Sequence, residues 1–92
     1  MQFSWDEAKG LANWRKHKVT FQSATGVFLD PNRIEIYDDR HEEDRWIAIG
    51  VVAPNVLTVV FTERDDEGVA IRIISARRAN AKERSAYREI QH

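Results

Sequence analysis

Val69-Ala70-Ile71-Arg72-Ile73-Ile74-Ser75-Ala76-Arg77-Arg78 is a β-branched run with one arginine in its middle and two at its end. Valine and isoleucine at this density read as a buried strand. A guanidinium taken out of water costs several kcal/mol unless a partner satisfies it. Arg72 therefore calls for an internal carboxylate or for an anionic ligand such as phosphate. Both readings are open at this point, and the functional reading turns on the choice between them.

Working outward, residues 56–63 form a second apolar strand, joined to the first through a turn over 64–68. Residues 46–52 form a third, closed by Pro54-Asn55. Ile34 and Ile36 alternate with Glu35 and Tyr37 as a half-buried fourth, and the charged run 38–44 connects it to the third. Connections this short demand antiparallel neighbours. Helices flank the strands. Ser4-Trp5-Asp6-Glu7 fits a capping box, with Ser4 or Asp6 as the cap, for a helix running to about His17; Trp5, Ala8, Leu11 or Ala12, and Arg15 recur at helical spacing, with Trp14 beside Leu11. Thr20 caps a shorter helix carrying Phe21, Ala24, Val27 and Phe28, stopped by Asp30-Pro31-Asn32. Asn80-Ala81-Lys82-Glu83 is a second capping box, and a helix follows through Tyr87 and Ile90. The predicted fold is α+β: two N-terminal helices, a four-stranded antiparallel sheet and a C-terminal helix, as a single domain over 1–92. Helices cover one sheet face; the other is free to receive a polymer ligand.

Composition narrows the classes. Ninety-two residues make one domain with a modest core. The absence of cysteine excludes disulfides, thiolate zinc sites and cysteine nucleophiles. No apolar run reaches the roughly 18–20 residues that span a bilayer, and the first residues lack the basic-then-apolar order of a signal peptide. A soluble cytoplasmic protein with no membrane partner is expected. The net charge of −1 argues against a broad DNA-coating surface. The charge is nevertheless segregated: residues 71–92 hold six Lys/Arg against two Asp/Glu, and residues 1–70 hold eight against thirteen. A basic end on an acidic body suits a local anion site. No Gly-rich phosphate loop, His-Glu-x-x-His helix or Gly-x-Ser-x-Gly elbow is present, and no cofactor is predicted.

Strand alternation sorts the candidate groups. A four-residue turn sets Arg64 opposite Val69 and Thr62 opposite Ile71. Thr62, Arg64, Ser75 and Arg77 then share a face, and Glu63 lies diagonal to Arg72 on the other. The functional reading is a phosphate site, with forked arginine donors and the Thr62 and Ser75 hydroxyls. The structural reading pairs Arg72 with Glu63 and leaves Arg77 and Arg78 flanking a helix start. His17 fits a helix C-terminus, where a cation complements the dipole. His41 lies among acids, where it can transfer protons near neutral pH or sit in a solvated turn. The acids of 38–44 can also be read as oxygen ligands for a hard cation. Tyr87 can stack on a base or pack its ring on the sheet. His92 is terminal.

Several segments together resemble the BrnT family of bacterial toxin ribonucleases. They are Phe3-Ser4-Trp5-Asp6-Glu7-Ala8-Lys9, Asn13, Lys16-His17, Val19-Thr20-Phe21, Val27-Phe28-Leu29-Asp30-Pro31, Glu43-Asp44-Arg45, residues 59–64, and Ile71-Arg72-Ile73-Ile74-Ser75-Ala76-Arg77-Arg78-Ala79 with Glu83 and Tyr87. The resemblance implies a RelE-like fold and metal-independent endonucleolytic cleavage of RNA, in which a ribose 2′-hydroxyl attacks the adjacent phosphate. It also implies a cognate ribbon-helix-helix-like antitoxin that occupies the active face, the pair binding its own promoter DNA. On this resemblance Arg64, Arg72 and Arg77 are assigned to the phosphate and His41 or Glu43 to proton transfer. Arg45, Thr62, Ser75, Arg78, Tyr87 and His17 follow as RNA contacts. Two positions depart from the family pattern: Lys18 stands where the family usually has Gly after the Lys-His step, and Glu42 where it often has Gly. The first predicts a different exit from helix 1. The second adds negative charge beside the site, which keeps open an alternative: a catalytically inactive, toxin-like module that only docks the antitoxin.

Overall fold

The computed structural model describes residues 2–65 and 69–90, and side chains for residues 2–63 and 70–90. Its strands are β1 Gln2–Ser4, β2 Ile34–Asp38, β3 Arg45–Val52, β4 Asn55–Asp65 and β5 Val69–Arg78. They form one sheet in the order β1-β5-β4-β3-β2. The helices are α1 Glu7–His17, α2 Phe21–Ala24, which continues as a 3-10 turn over Thr25–Leu29, and α3 Ala81–Glu89. The α+β class and the antiparallel strands β2 to β5 are as expected from the sequence. The strand count is not: β1 adds a fifth strand, parallel to β5, with Gln2 beside Ala70 and Ser4 beside Arg72. The sheet is therefore mixed, and Ser4 belongs to a strand rather than to a helix cap. Three residues are too few to show alternation, and β1 becomes a strand only because an edge of β5 is there to pair with it.

The caps follow local chemistry. Asp6 accepts the Lys9 N–H at 3.0 Å and starts α1, Thr20 accepts the Ser23 N–H and starts α2, and Asn80 and Glu83 exchange both bonds of a capping box at α3. The core lies on one sheet face, where Val59, Phe61, Ile73 and Ala76 meet Phe21, Ala24, Val27 and Phe28. Phe28 stands edge-on to Phe61, with ring centroids 5.0 Å apart. The second face, expected to be open, is only partly so. Helix α3 covers one end of it, over the buried Ile49 and Thr58, and the opposite end stays accessible.

The β4–β5 register also differs from the alternation argument. Three residues separate the strands, so Asp65 faces Val69, Arg64 faces Ala70 and Thr62 faces Arg72. Glu63 faces Ile71 on the other side of the sheet and does not pair with Arg72. A bulge then leaves Ile74 over, because Phe61 faces Ile73 while Val60 faces Ser75. One extra residue reverses the parity of everything beyond it. Arg72 and Arg77, read from period-two spacing as lying on opposite faces, thus share a face.

Helix α1 does not cover the sheet; it runs along the edge of β5 beyond β1. Its one buried residue is Asn13, while Leu11 and Trp14 stay exposed at 51% and 44%. The Asn13 amide donates to the Ala76 and Val19 carbonyls at 2.8 and 2.9 Å, and its oxygen accepts the Ala76 N–H at 3.1 Å. A side chain thus satisfies the edge where no strand continues. Asn13→Ala is expected to lower unfolding free energy by about 2–4 kcal/mol, since it orphans three buried backbone groups; urea denaturation measures it.

Lys18 ends α1 in the left-handed region, φ 58°, ψ 32°, with its N–H donating to the Trp14 carbonyl at 2.8 Å. The exit is the left-handed one that Gly suits, taken here by lysine itself, with its ammonium 5.6 Å from the centroid of the Trp14 ring. A Cβ at such a φ is strained. Lys18→Gly is expected to stabilise the protein by about 1 kcal/mol in the same denaturant assay.

Candidate active site

Pairing across the sheet sets Ser4 beside Arg72 and Arg72 beside Thr62, and at the far strands Arg45 beside Asp38; Thr62 and Arg45 each adjoin the Trp46–Phe61 pair that joins β3 to β4. This row crosses the end of the second face that α3 leaves accessible. Around it Lys9, Glu43, Arg45, Thr62, Arg72 and Ile74 line a hollow of about 220 Å³. Lys9 reaches it because it lies one turn before Asn13, on the side of α1 turned to β5. Three cations thus surround one buried hydroxyl, Thr62, and one carboxylate.

Among the described residues only Arg45 is neutralised within the hollow. Its Nε and Nη2 lie 2.9 and 2.8 Å from the same Glu43 oxygen, Oε1. Among the described residues neither Arg72 nor Lys9 has a carboxylate within 4 Å. Asp6 is near enough to feel both: its carboxyl lies below the ordinary value chiefly because it accepts the Lys9 N–H, with the Lys9 and Arg72 charges adding to this. Clustered cations that lack internal partners are arranged to hold an anion. Glu43 alongside them can accept a proton.

The other sequence-derived candidates are distributed. Arg77 lies on the same face as Arg72 but five residues along, about 16 Å away at strand rise. Its guanidinium is held by both Glu83 oxygens, at 2.7 and 2.9 Å, which raises its pKa and lowers that of Glu83. It ties α3 to the sheet. Arg78 is on the opposite face, beside Trp14 and Lys18. Ser75 is half-buried opposite Val60. Tyr87 is buried, and its hydroxyl donates to Asp30 Oδ2, a bond that pushes its pKa up to about 12. His17 sits in the last turn of α1. The Arg64 side chain and His92 lie outside the described residues.

The turn over 38–44 is held by separate contacts. Arg40 binds both oxygens of Asp38 and holds that carboxyl far below the usual range. His41 Nε2 is 3.6 Å from Asp38 Oδ2, and Asp44 accepts the Tyr37 hydroxyl at 2.7 Å. Among the described residues no three His, Asp or Glu side chains gather in a metal-ligating group.

Residues 5–83 match the family model for the ribonuclease toxin, BrnT, of type II toxin-antitoxin systems. The chain belongs to this family. Its fold is similar to the crystal structure of the Brucella abortus ribonuclease toxin BrnT, at 28% identity and a TM-score of 0.66, over 87% of this chain and 97% of that one. A comparison with curated protein sequences finds no match. The BrnT resemblance read from the sequence is thus correct, and a type II toxin implies an antitoxin partner.

Sequence reasoning missed Lys9 in the hollow. The available signal was the spacing of Lys9, Asn13 and Lys16, a polar side of α1 opposite Leu11 and Trp14, which reads by default as the solvent side. The two arginines differ in what their loss does to the fold. Arg77→Ala is expected to lower the melting temperature by about 4–8 °C, the equivalent of about 1 kcal/mol at this size. Arg72→Ala relieves repulsion with Lys9 and Arg45, so its melting temperature is expected to match or exceed the parent's; differential scanning calorimetry separates the two.

Proposed function

We propose that this BrnT-family chain is a metal-independent endoribonuclease on a RelE-like scaffold, and that the Lys9–Arg45–Arg72 hollow holds the scissile phosphate. The observation that carries the reading is the convergence of Arg72 and Lys9, two cations with no carboxylate within 4 Å among the described residues, on a hydroxyl and a carboxylate. Glu43 takes the proton of the ribose 2′-hydroxyl as its oxygen bonds to phosphorus. Arg72, Lys9 and the Thr62 hydroxyl stabilise charge on the phosphoryl oxygens. The bond from phosphorus to the 5′-oxygen breaks, and the leaving oxygen takes a proton from His41, two residues before Glu43 in the same turn. The products are a 2′,3′-cyclic phosphate and a 5′-hydroxyl. Arg45 is a positioning residue that orients Glu43.

The same reading places the protein in the cytoplasm, neutralised by a ribbon-helix-helix antitoxin, the pair binding its promoter DNA. Arg77, engaged by Glu83, supports the sheet end rather than the phosphate. The inactive-module reading is favoured by one feature, the capture of Glu43 by Arg45 in the free chain.

Cleavage of a single-stranded RNA in EDTA tests both readings. The expected result is cyclic-phosphate ends, with activity falling about 10²–10³-fold in Arg72→Ala and about 10²–10⁴-fold in Glu43→Gln. Full activity in folded Arg72→Ala removes the phosphate assignment. No cleavage by the parent chain, together with normal growth on induction, leaves the docking module.

A further inference from the structure

Among the described residues three arginines hold a carboxylate at hydrogen-bond distance, and one of these pairs is built differently. Arg77 meets both Glu83 oxygens, at 2.7 and 2.9 Å, and Arg40 meets both Asp38 oxygens, at 2.8 and 2.9 Å. Each of those carboxylates also accepts a backbone N–H, from Asn80 and from Arg40. Arg45 meets Glu43 through one oxygen only: Nε and Nη2 lie 2.9 and 2.8 Å from Oε1. Among the described residues the Glu43 carboxylate accepts no hydrogen bond from any other group. Its side chain is 54% exposed, against 18% for Glu83 and 6% for Asp38. A forked guanidinium spent on a single oxygen, within reach of water, makes a weak pair that exchanges readily.

This weakest pair is the one that stands in the hollow. The Arg45 backbone is fixed by pairing with Asp38, whereas Glu43 lies in the exposed turn before the strand. Arg72 and Lys9 line the same hollow with no carboxylate within 4 Å among the described residues. An anion drawn in by them arrives beside a guanidinium whose two donors share one oxygen. A phosphate offers each donor an oxygen of its own. We infer that Arg45 changes partner when phosphate enters. Its guanidinium leaves Glu43 Oε1, takes two phosphate oxygens and completes a cradle of three cations with Arg72 and Lys9. The exchange swaps hydrogen bonds and makes or breaks no covalent bond. The freed Glu43 carboxylate then has both oxygens available for the proton of the ribose 2′-hydroxyl. The pair is thus a latch that engages the base while the hollow is empty and releases it when substrate is in place. The inference rests on the phosphate assignment of the hollow. It gives the capture of Glu43 in the free chain a role in an active enzyme.

The test titrates inorganic phosphate into the isotope-labelled full chain at fixed ionic strength, followed by NMR. The reporter is the Arg45 Nε–H signal, assigned by its loss in Arg45→Lys. Glu43→Ala gives the position of that signal without the carboxylate, and the backbone spectrum verifies that each variant is folded. In the parent, saturating phosphate is expected to bring the signal to the position it takes in phosphate-bound Glu43→Ala. Glu43→Ala is expected to bind phosphate about two- to fivefold more tightly than the parent, the worth of an exposed ion pair. In an Arg45→Ala background the same change is expected to gain less, because no pair remains to be broken. An Arg45 signal that phosphate leaves unmoved in the parent overturns the exchange, and so does an equal gain in both backgrounds. Phosphate binding that is nevertheless lost in Arg72→Ala shows that the exchange alone has failed and the phosphate assignment stands. A parent chain that binds no phosphate overturns both. The readout is anion binding, so a chain that cleaves no RNA leaves the test intact.

Discussion

The Asn13 carboxamide closes the edge of β5, and the rest of the molecule is arranged around that closure. Strand β1 ends beside Arg72, so the next backbone groups along the edge face no strand. Asn13 supplies both a donor and an acceptor to Ala76 and ties down the Val19 carbonyl. A buried backbone group without a partner costs far more than a made bond returns. The bonding therefore fixes the position of α1 more firmly than apolar contact would. Once α1 is held along the edge, its two sides have different destinies: Lys9 joins the hollow, and Leu11, Trp14 and Lys18 face outward.

Electrostatics divides the arginines in the same way. Arg77 and Glu83 saturate each other, with Glu83 also held by the Asn80 N–H. That arrangement anchors α3 over one end of the second sheet face, with Tyr87 and Asp30 as its other tie. Burial works to raise the Asp30 carboxyl, but the bonds from Tyr87, Val51 and Asn32 outweigh it and leave it low. Arg72 and Lys9 have no such partners among the described residues. Keeping like charges together without neutralising them opposes stability, and an anion held at the proposed phosphate site offsets that repulsion.

Much of this was legible in the residues. Asp6, Thr20 and Asn80 cap helices as their side chains dictate, and the strands from β2 to β5 follow the runs of branched residues. Arg45, Thr62, Arg72 and Glu43 were all among the candidates, because guanidiniums in a β-run demand an explanation. What escaped was non-local. Strand β1 has no pattern of its own. Lys9 reaches the hollow only through the placement of α1. The pairing of Arg77 with Glu83, six residues on, was not among the readings.

The chain by itself determined the helices, the strands β2 to β5, the caps Asp6, Thr20 and Asn80 and the presence of surplus positive charge in β5, since these depend on side-chain chemistry within a few residues. The tertiary structure alone decided which charges meet. A bulge at Ile74 and a connection one residue shorter than expected each change the parity of a strand, and period-two geometry then reassigns a side chain to the other face. Pairing register is set by distant partners, so the faces of Arg72 and Arg77 could only be read once β4 lay beside β5.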